Sequence, residues 1–326
     1  GDVQLRINGA KAELQEILSL KPEDVIRIEY HDEPSLRYGD NVAAVLNYIV
    51  RRHQTGGYIG INADIPMSCI WGNNNVTAKI NHKKSEWGIN YYGGYRSFKN
   101  YWRENSETFN FENDPSFTRV EEGIPDKVKM HRDNLTMSYS YQEEEKWFIN
   151  VALRGNFRGN KQNTQSTLYP ISNPANSVEM KDYTGSNSKS PSLDIYLQRN
   201  LKHNQAIILN TVGTYIHTYD DRTYEEKKHS DIVTDIYSAI RGKKYSFIGE
   251  GIYEKRFTNS KFSTGIRHQQ SLTENRYAGT SSAETQMQEA YTSTYVEYSC
   301  KVKKFNYSLG LQGSRSWFNQ EGEGHQ

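Results

Sequence analysis

Apolar and polar residues alternate along most of the chain, and residues 147–157 show the pattern most clearly. The odd positions of this segment carry Trp147, Ile149, Val151, Leu153 and Phe157, whereas the even positions are mostly small or polar. A period of two is typical of a β-strand with one apolar and one hydrated face. Because the alternation recurs from residue 57 onward with almost no helical spacing between, the sequence predicts a mainly β chain.

The alternating segments predict strands at 57–67, 74–84, 86–99, 104–112, 132–143, 146–158, 190–200, 205–219, 232–241, 244–258, 260–272, 287–302 and 303–318. Short polar turns are predicted at 73–74, 143–146, 202–204, 242–243, 258–260 and 303–304. Long polar links are predicted at about 112–131, 158–190, 219–231 and 272–287. Short turns at one end of a sheet and long loops at the other are features of outer-membrane β-barrels.

The first 55 residues follow a different pattern. Residues 3–9 and 25–30 predict strands, residues 10–20 have helical spacing, and residues 41–50 form a compact apolar segment. Such a small α+β unit is too short to build a full core alone. We therefore expect it to pack against the rest of the chain.

Composition narrows the class of protein. Only 35% of the 326 residues are hydrophobic and mean hydropathy is −0.86, yet aromatic residues reach 12%, with 24 tyrosines. A soluble protein of this length normally has a richer core, and a disordered chain has fewer aromatics. The net charge of +1 gives no support for a nucleic-acid partner.

The apolar faces either pack against each other, as in a soluble β-sandwich, or face lipid. A sandwich buries mainly Val, Ile and Leu, whereas here Tyr and Trp are frequent on the apolar faces and small polar residues lie opposite them. This favours a barrel with a hydrated lumen. Its lipid-facing residues would include Trp147, Ile149, Val151 and Leu153, and its lumen-facing residues Asn150, Arg154 and Asn156.

Catalytic and metal-binding patterns are absent from the sequence, which predicts that the protein is not an enzyme and has no cofactor. The histidines lack zinc-site spacing, and no serine lies in a nucleophile elbow. The acidic runs 143–145, 220–221 and 225–226 are interpreted as solvated loop charge. Cys69 and Cys300 lie far apart in sequence, and whether they pair is left open.

Residues 25–53 contain short motifs in a distinctive order. They are Ile28-Glu29, Pro34-Ser35, Arg37-Tyr38-Gly39, Ala43-Ala44 and Val45-Leu46-Asn47-Tyr48-Ile49, followed by two arginines. This order resembles the end of the plug domain of TonB-dependent outer-membrane receptors, and most closely the outer-membrane β-barrel group of receptor-like proteins. Many members carry Arg-Gly where this chain has Asp32-Glu33, so a plug–barrel ion pair made by that arginine would need a substitute here.

The resemblance implies a fold class and a domain division. It describes an antiparallel, transmembrane-type β-barrel, present in part, preceded by a small α+β plug remnant. Residues 1–55 would be the C-terminal part of the plug and residues 56–326 the N-terminal portion of the barrel. The chain is accordingly expected to be a fragment of a longer receptor.

The resemblance also implies structural roles for the plug motif, whose candidate residues are Glu29, Pro34, Arg37, Tyr38, Gly39 and Asn47. Gly39 would adopt a backbone conformation that favours glycine, Arg37 would bridge plug to barrel wall, and Asn47 would cap backbone groups. A plain turn or strand role is the alternative for each. No substrate-binding residue is assigned, and residues 158–190 are the best loop candidate.

The implied function is active uptake of a nutrient, such as an iron chelate, cobalamin or an oligosaccharide, across the outer membrane of a Gram-negative bacterium. The implied partners are TonB, through a segment absent from this chain, outer-membrane lipid and a small nutrient ligand, with a surface lipoprotein as an additional candidate. The alternative is a soluble or surface-exposed β-rich binding protein without catalytic activity.

Overall fold

The computed structural model describes residues 2–12, 14–18, 20–31, 38, 42–51, 55–66, 70–112, 115–143, 146–279, 282–302 and 305–325. These residues form a four-stranded sheet and a 13-stranded sheet. None of the helices in these ranges is long and apolar enough to cross a membrane.

The smaller sheet and its helices form what we call the N-terminal unit. Its elements are β1 (Asp2–Ile7), β2 (Ala10–Lys11), α1 (Leu14–Leu18), a 3-10 helix (Pro22–Asp24), β3 (Val25–His31) and β4 (Val42–Val50). The strand order is β2-β1-β4-β3, in which β1 and β4 are parallel and the other pairs antiparallel.

The helix predicted over residues 10–20 is wrong in its first part, because among the described residues of this segment only 14–18 are α-helical. Asn8 and Gly9 both have positive φ, at 49° and 88°. Two successive residues with positive φ are typical of a type I′ hairpin turn, for which Asn-Gly is the preferred pair. Ala10 therefore pairs back onto Ile7 in an antiparallel hairpin.

The larger sheet, which we call the wall, consists of long antiparallel strands. They are β5 (Thr55–Asp64), β6 (Ile70–His82), β7 (Ser85–Tyr101), β8 (Glu104–Phe109), β9 (Phe117–Ile124), β10 (Asp126–Glu143), β11 (Trp147–Pro170), β12 (Val178–Leu201), β13 (Gln205–Lys228), β14 (Asp231–Arg256), β15 (Ser260–Gly279), β16 (Ser282–Val302) and β17 (Phe305–His325). The main path runs β17-β16-β15-β14-β13-β12-β11-β10-β7-β6-β5.

Strands β8 and β9, which lie off this path, extend β7 and β10 beyond short interruptions. Gln165 of β11 pairs with Ile124 of β9, and Gln162 pairs with Val128 of β10, so both strands follow the same line along β11. Pro125 lies between them and has no N–H to donate to the ladder. The sequence prediction missed β9, which falls in the predicted link 112–131.

The other long links are also mostly strand. The described turn between β11 and β12 is 171–177, and that between β13 and β14 is 229–230. The predicted loop 158–190 is therefore wrong, as are the links at 219–231 and 272–287 over most of their length. The backbone ladder continues where both faces are polar, and polarity alone does not distinguish a hydrated strand from a loop.

Two of the predicted short turns lie inside strands. Residues 73–74 belong to β6, and residues 242–243 belong to β14, which is one strand instead of two. Gly242 is required by close packing and not by a turn, since a Cβ at this position would lie 2.6 Å from the Thr218 hydroxyl oxygen. The turn at 202–204 is confirmed.

The two ends of the wall differ, because one carries tight turns and at the other several strands extend into long hairpins. Turns at 83–84, 202–204 and 257–259 share one end, which we call the short-turn end. The opposite, long-hairpin end carries the extended parts of β8, β9 and β11 to β14. β11 has 24 residues, about 80 Å at roughly 3.3 Å per residue, whereas a transmembrane strand needs only about 9–11 residues.

On the wall, large apolar side chains are exposed and several polar side chains are buried, which is the reverse of the arrangement in a soluble protein. Leu153 is 50% exposed, whereas its neighbours Ala152 and Arg154 are 0% and 7% exposed. Met137, Leu153 and Leu193 lie side by side on β10, β11 and β12, and all three are exposed. The predicted division into an outward apolar face and an inward polar face is confirmed around these rows, and we call the apolar part of the outward face the apolar belt.

The wall curves around the N-terminal unit. Lys21 of that unit lies 4.5 Å from the ring centroid of Tyr58 on β5. Ala10 packs in a buried cluster with Ile252 on β14 and with residues of β12 and β13. Contacts with such distant strands require a curved sheet with the unit on its concave, polar face.

These features make the chain a mainly β, partial antiparallel β-barrel. Within the described residues, β5 pairs only with β6 and β17 only with β16, so the wall is open at both edges. The Cys300 side chain carries a free thiol, and Cys69 lies outside the described residues.

Candidate functional site

An ion-pair triad joins the N-terminal unit to the wall. The Arg154 guanidinium on β11 bonds to the Glu16 carboxylate of α1 at 2.9 Å and to the Asp194 carboxylate of β12 at 3.2 Å. All three side chains are largely buried. A buried arginine between two carboxylates fixes position, because removing any partner leaves an uncompensated charge.

Asn47 connects the strands of the N-terminal unit. Its side-chain oxygen accepts a hydrogen bond from the Gly9 N–H at 2.9 Å, and its amide nitrogen donates to Glu29 at 2.9 Å. Glu29 also accepts from Arg27 at 2.8 Å, which is the main cause that lowers the pKa of the Glu29 carboxyl. The structure thus brings together two of the predicted site residues.

Tyr38 lies near the same region. The Arg6 guanidinium stands 4.8 Å from the Tyr38 ring centroid, and Tyr38 lines a cavity of about 870 Å³ that Glu29 and Asn47 also line. This cavity lies between the N-terminal unit and the short-turn end of the wall. The remaining predicted site residues, Pro34, Arg37 and Gly39, lie outside the described residues.

A second, more highly charged cavity lies on the inner face of the wall at the long-hairpin end. It has a volume of about 310 Å³, and its lining includes Arg103, Asn105, Glu107, Arg119, Glu121, Arg222 and Tyr224. We call it the arginine cavity. The residues come from β9, β13, the first part of β8 and the segment before it, and the curvature of the wall brings them together.

Two of its arginines are held tightly by carboxylates. Arg222 donates two hydrogen bonds to Asp182, both at 2.9 Å, and Arg103 donates to Glu121 at 2.9 Å. The bond to Glu121 raises the pKa of Arg103. Glu121 also accepts a hydrogen bond from the buried Ser166 hydroxyl at 3.0 Å, so this part of the lining is rigid.

Arg119 is held more loosely. Its guanidinium lies 3.4 Å from Glu107 and 3.7 Å from Glu226, and both contacts are longer than the 2.9 Å contacts of Arg103 and Arg222. Glu226 accepts further hydrogen bonds from Tyr224 and Thr234. Among the three arginines of the cavity, Arg119 is therefore the one whose ion pairs a ligand can replace at the lowest cost in free energy.

Tyr224 contributes an aromatic ring and a protonated hydroxyl that donates its hydrogen bond to Glu226. Burial, followed by the hydrogen bond to Glu226, raises the pKa of its phenol, so the hydroxyl stays protonated at neutral pH. The Arg222 guanidinium lies 5.3 Å from its ring centroid. The arrangement supplies charge, hydrogen bonds and an aromatic surface, which suit the binding of a polar molecule.

The sequence interpretation of residues 225–226 as solvated loop charge is wrong for Glu226, which lies within β13 with its side chain only 14% exposed. Sequence reasoning missed the arginine cavity because Arg119, Glu121, Arg222 and Tyr224 fall in segments predicted as polar links. The alternation Arg222, Tyr224, Glu226 at every second position was the available signal, since it places all three on one strand face.

No group of three or more His, Cys, Asp or Glu side chains suited to a metal ion occurs among the described residues.

Scans of the sequence against protein-family models and against curated proteins give no match. Solved structures that match include the ferric yersiniabactin uptake receptor FyuA from Yersinia pestis, with a TM-score of 0.39 and 9% identity. The match covers 96% of this chain and 63% of that receptor, so the chain spans less than two thirds of its length. A likeness this distant carries no argument, and the proposals below rest on the geometry.

Proposed function

We propose that this chain is part of an outer-membrane receptor of a Gram-negative bacterium that takes up a nutrient through a plugged β-barrel. Residues 1–55 are the C-terminal part of the plug and residues 56–326 the N-terminal portion of the barrel. Energy reaches the plug through TonB, and transport consists of plug rearrangement without covalent chemistry. The intact receptor is not an enzyme and needs no cofactor.

The observation that carries the proposal is the inverted wall with a separate unit on its polar face. Exposed Met137, Leu153 and Leu193 lie in one row on the outside, and the buried triad of Glu16, Arg154 and Asp194 holds the unit on the inside. An outward apolar band with a polar interior is the arrangement of a transmembrane barrel. A soluble β-rich binding protein would instead bury these rows in a core.

The arginine cavity is the proposed nutrient-binding site. It lies beyond the apolar belt, since Arg222 is eight positions along β13 from Thr214, which pairs with Ser192 beside Leu193. That distance is about 26 Å at roughly 3.3 Å per residue. Paired charges and Tyr224 favour a polar nutrient with an anionic group for Arg119, consistent with an iron chelate more than with a neutral sugar.

The test uses the full-length protein in its own host. Membranes are separated on a density gradient, and uptake of radiolabelled ferric chelates, cobalamin and oligosaccharides is measured in a deletion strain that carries the wild-type receptor or an Arg119→Ala variant. We expect outer-membrane fractionation and uptake of one class that stops when the proton gradient is collapsed. Loss of a charged hydrogen bond predicts a half-saturation concentration about 10- to 100-fold higher for Arg119→Ala than for the wild type.

Arg315→Ala, at an exposed position of β17, serves as the matched control and should transport like the wild type. Recovery of the wild-type protein in the aqueous fraction would refute the membrane location and favour the soluble binding protein. Uptake that is unchanged in Arg119→Ala would leave the receptor in place but remove the arginine cavity as its binding site.

A further inference from the structure

The outward face of the wall carries an open apolar groove at the boundary of the apolar belt. Its volume is about 590 Å³, and its apolar lining includes Leu153, Leu193, Gly213, Tyr215, Tyr245 and Phe247. The register places Leu153, Leu193, Gly213 and Phe247 in one row across β11 to β14.

Gly213 forms the depression in this row. Nothing lies within 4 Å of the position that a Cβ would occupy there, whereas Leu193 and Phe247 beside it carry large exposed side chains. Toward the long-hairpin end, the Tyr215 and Tyr245 rings pack with centroids 5.0 Å apart and border the groove. A channel with apolar sides and an open floor fits a flexible hydrocarbon chain.

A row of basic residues lies directly beyond the groove. Lys189, His217 and Lys243 are paired in register on β12, β13 and β14, and each follows a groove residue by two positions toward the long-hairpin end. Two positions correspond to about 7 Å along a strand. We call these three residues the basic row.

The two lysines are available for a ligand. Both are exposed, and neither forms an ion pair with any described residue. Glu274 lies opposite Lys243 on β15, which reduces the local positive charge without cancelling it. The next positions toward the long-hairpin end carry Arg241, which lies over the Tyr219 ring at 5.2 Å, and Arg276, whose charge is offset by an ion pair with Glu284 at 3.4 Å.

The geometry points to a binding site for a phosphate-bearing lipid of the outer leaflet, with an acyl chain in the groove and the phosphate against the basic row. Apolar contact and positive charge lie next to each other in the order that one lipid molecule presents, tail and then headgroup. The leaflet follows from the position of the basic row on the long-hairpin side, since barrels have their long connections outside the cell. The inference rests on the proposed membrane location.

The test measures lipid retention by the full-length receptor in detergent, with native mass spectrometry as the readout. The probes are phosphatidylglycerol, which is anionic, and phosphatidylcholine, which is zwitterionic. We expect the wild type to retain phosphatidylglycerol in preference, and Lys189→Gln with Lys243→Gln to weaken that retention by about five-fold for each lysine removed. Higher salt should narrow the difference between the wild type and the double variant.

The matched control replaces Lys202 and Lys301 by Gln, which removes the same charge at exposed sites near the short-turn end. Gly213→Leu fills the groove and is expected to reduce retention of both lipids while leaving the preference between them intact. The Lys202/Lys301 control variant and Gly213→Leu must both still fractionate with the outer membrane.

Equal retention of phosphatidylglycerol by the wild type and the Lys189/Lys243 double variant would overturn the lipid site, as would a wild type that retains neither lipid. A wild type that needs no detergent to stay in solution would refute the membrane location itself. The two failures are therefore distinguishable.

Discussion

At the scale of single residues, Asn47 satisfies a polar group of the Asn8–Gly9 turn and one of β3 with a single amide. Its Gly9 contact holds the type I′ turn and its Glu29 contact holds β3. Asn47 is itself only 9% exposed. Since a buried polar group that loses its partner retains its desolvation cost, this amide should be among the most sensitive positions of the N-terminal unit.

We predict that Asn47→Ala lowers the free energy of unfolding of the N-terminal unit by about 1–3 kcal/mol, because it orphans the Gly9 N–H. The measurement is hydrogen exchange of the Gly9 amide, which should become faster. Asn62→Ala, at an exposed site on β5, should leave that exchange rate unchanged. Unaltered exchange in Asn47→Ala would mean that the contact does not hold the turn.

The ionisation of Glu29 predicts how the stability of the N-terminal unit depends on pH. Its pKa is lowered from 4.5, chiefly by Arg27, so the folded state favours the carboxylate. The resulting stability is complete above the unfolded pKa and is lost as the pH falls through the lowered folded pKa. The melting temperature of Glu29→Gln should approach that of the wild type on acidification, and a gap independent of pH would contradict this.

At the scale of elements, the ion pair between Glu16 and Arg154 joins α1 to β11. A double-mutant cycle of Glu16→Gln and Arg154→Met should give a coupling free energy of about 0.5–3 kcal/mol from thermal unfolding. The exposed pair Arg276–Glu284, with both side chains more than half exposed, should couple by only about 0–1 kcal/mol. Equal coupling in both pairs would show that burial of the triad adds nothing.

The elements also show what the sequence can and cannot predict. β11 was predicted correctly near Leu153 because every second residue there is apolar. The same alternation correctly placed Arg154 on the inner face of the wall. β14 was divided at Gly242 because a glycine needed for close approach looks like a glycine needed for a turn. For the arginine cavity the sequence offered only the alternation of Arg222, Tyr224 and Glu226, since the assembly of the site depends on strand register and on the curvature of the wall, which local spacing does not encode.

At the scale of the whole molecule, inversion of the wall predicts opposite effects for the same substitution on its two faces. Leu153→Arg places a charge in the apolar belt and should cost about 2–4 kcal/mol of membrane stability. Asn156→Arg, three residues further on the polar face, should be tolerated. The fraction of each variant recovered in the outer membrane measures the effect, and equal recovery would argue against lipid around the belt.

The connectivity of the wall has a consequence for how the molecule assembles. Nearly every strand pairs with its neighbour in sequence. Each new strand can therefore add to the edge formed by the previous one at a small cost in loop-closure entropy. The parallel β1–β4 pair in the N-terminal unit instead joins segments separated by α1 and β3. We therefore expect the wall to form stepwise by local zippering, and the parallel pair to be the slow contact.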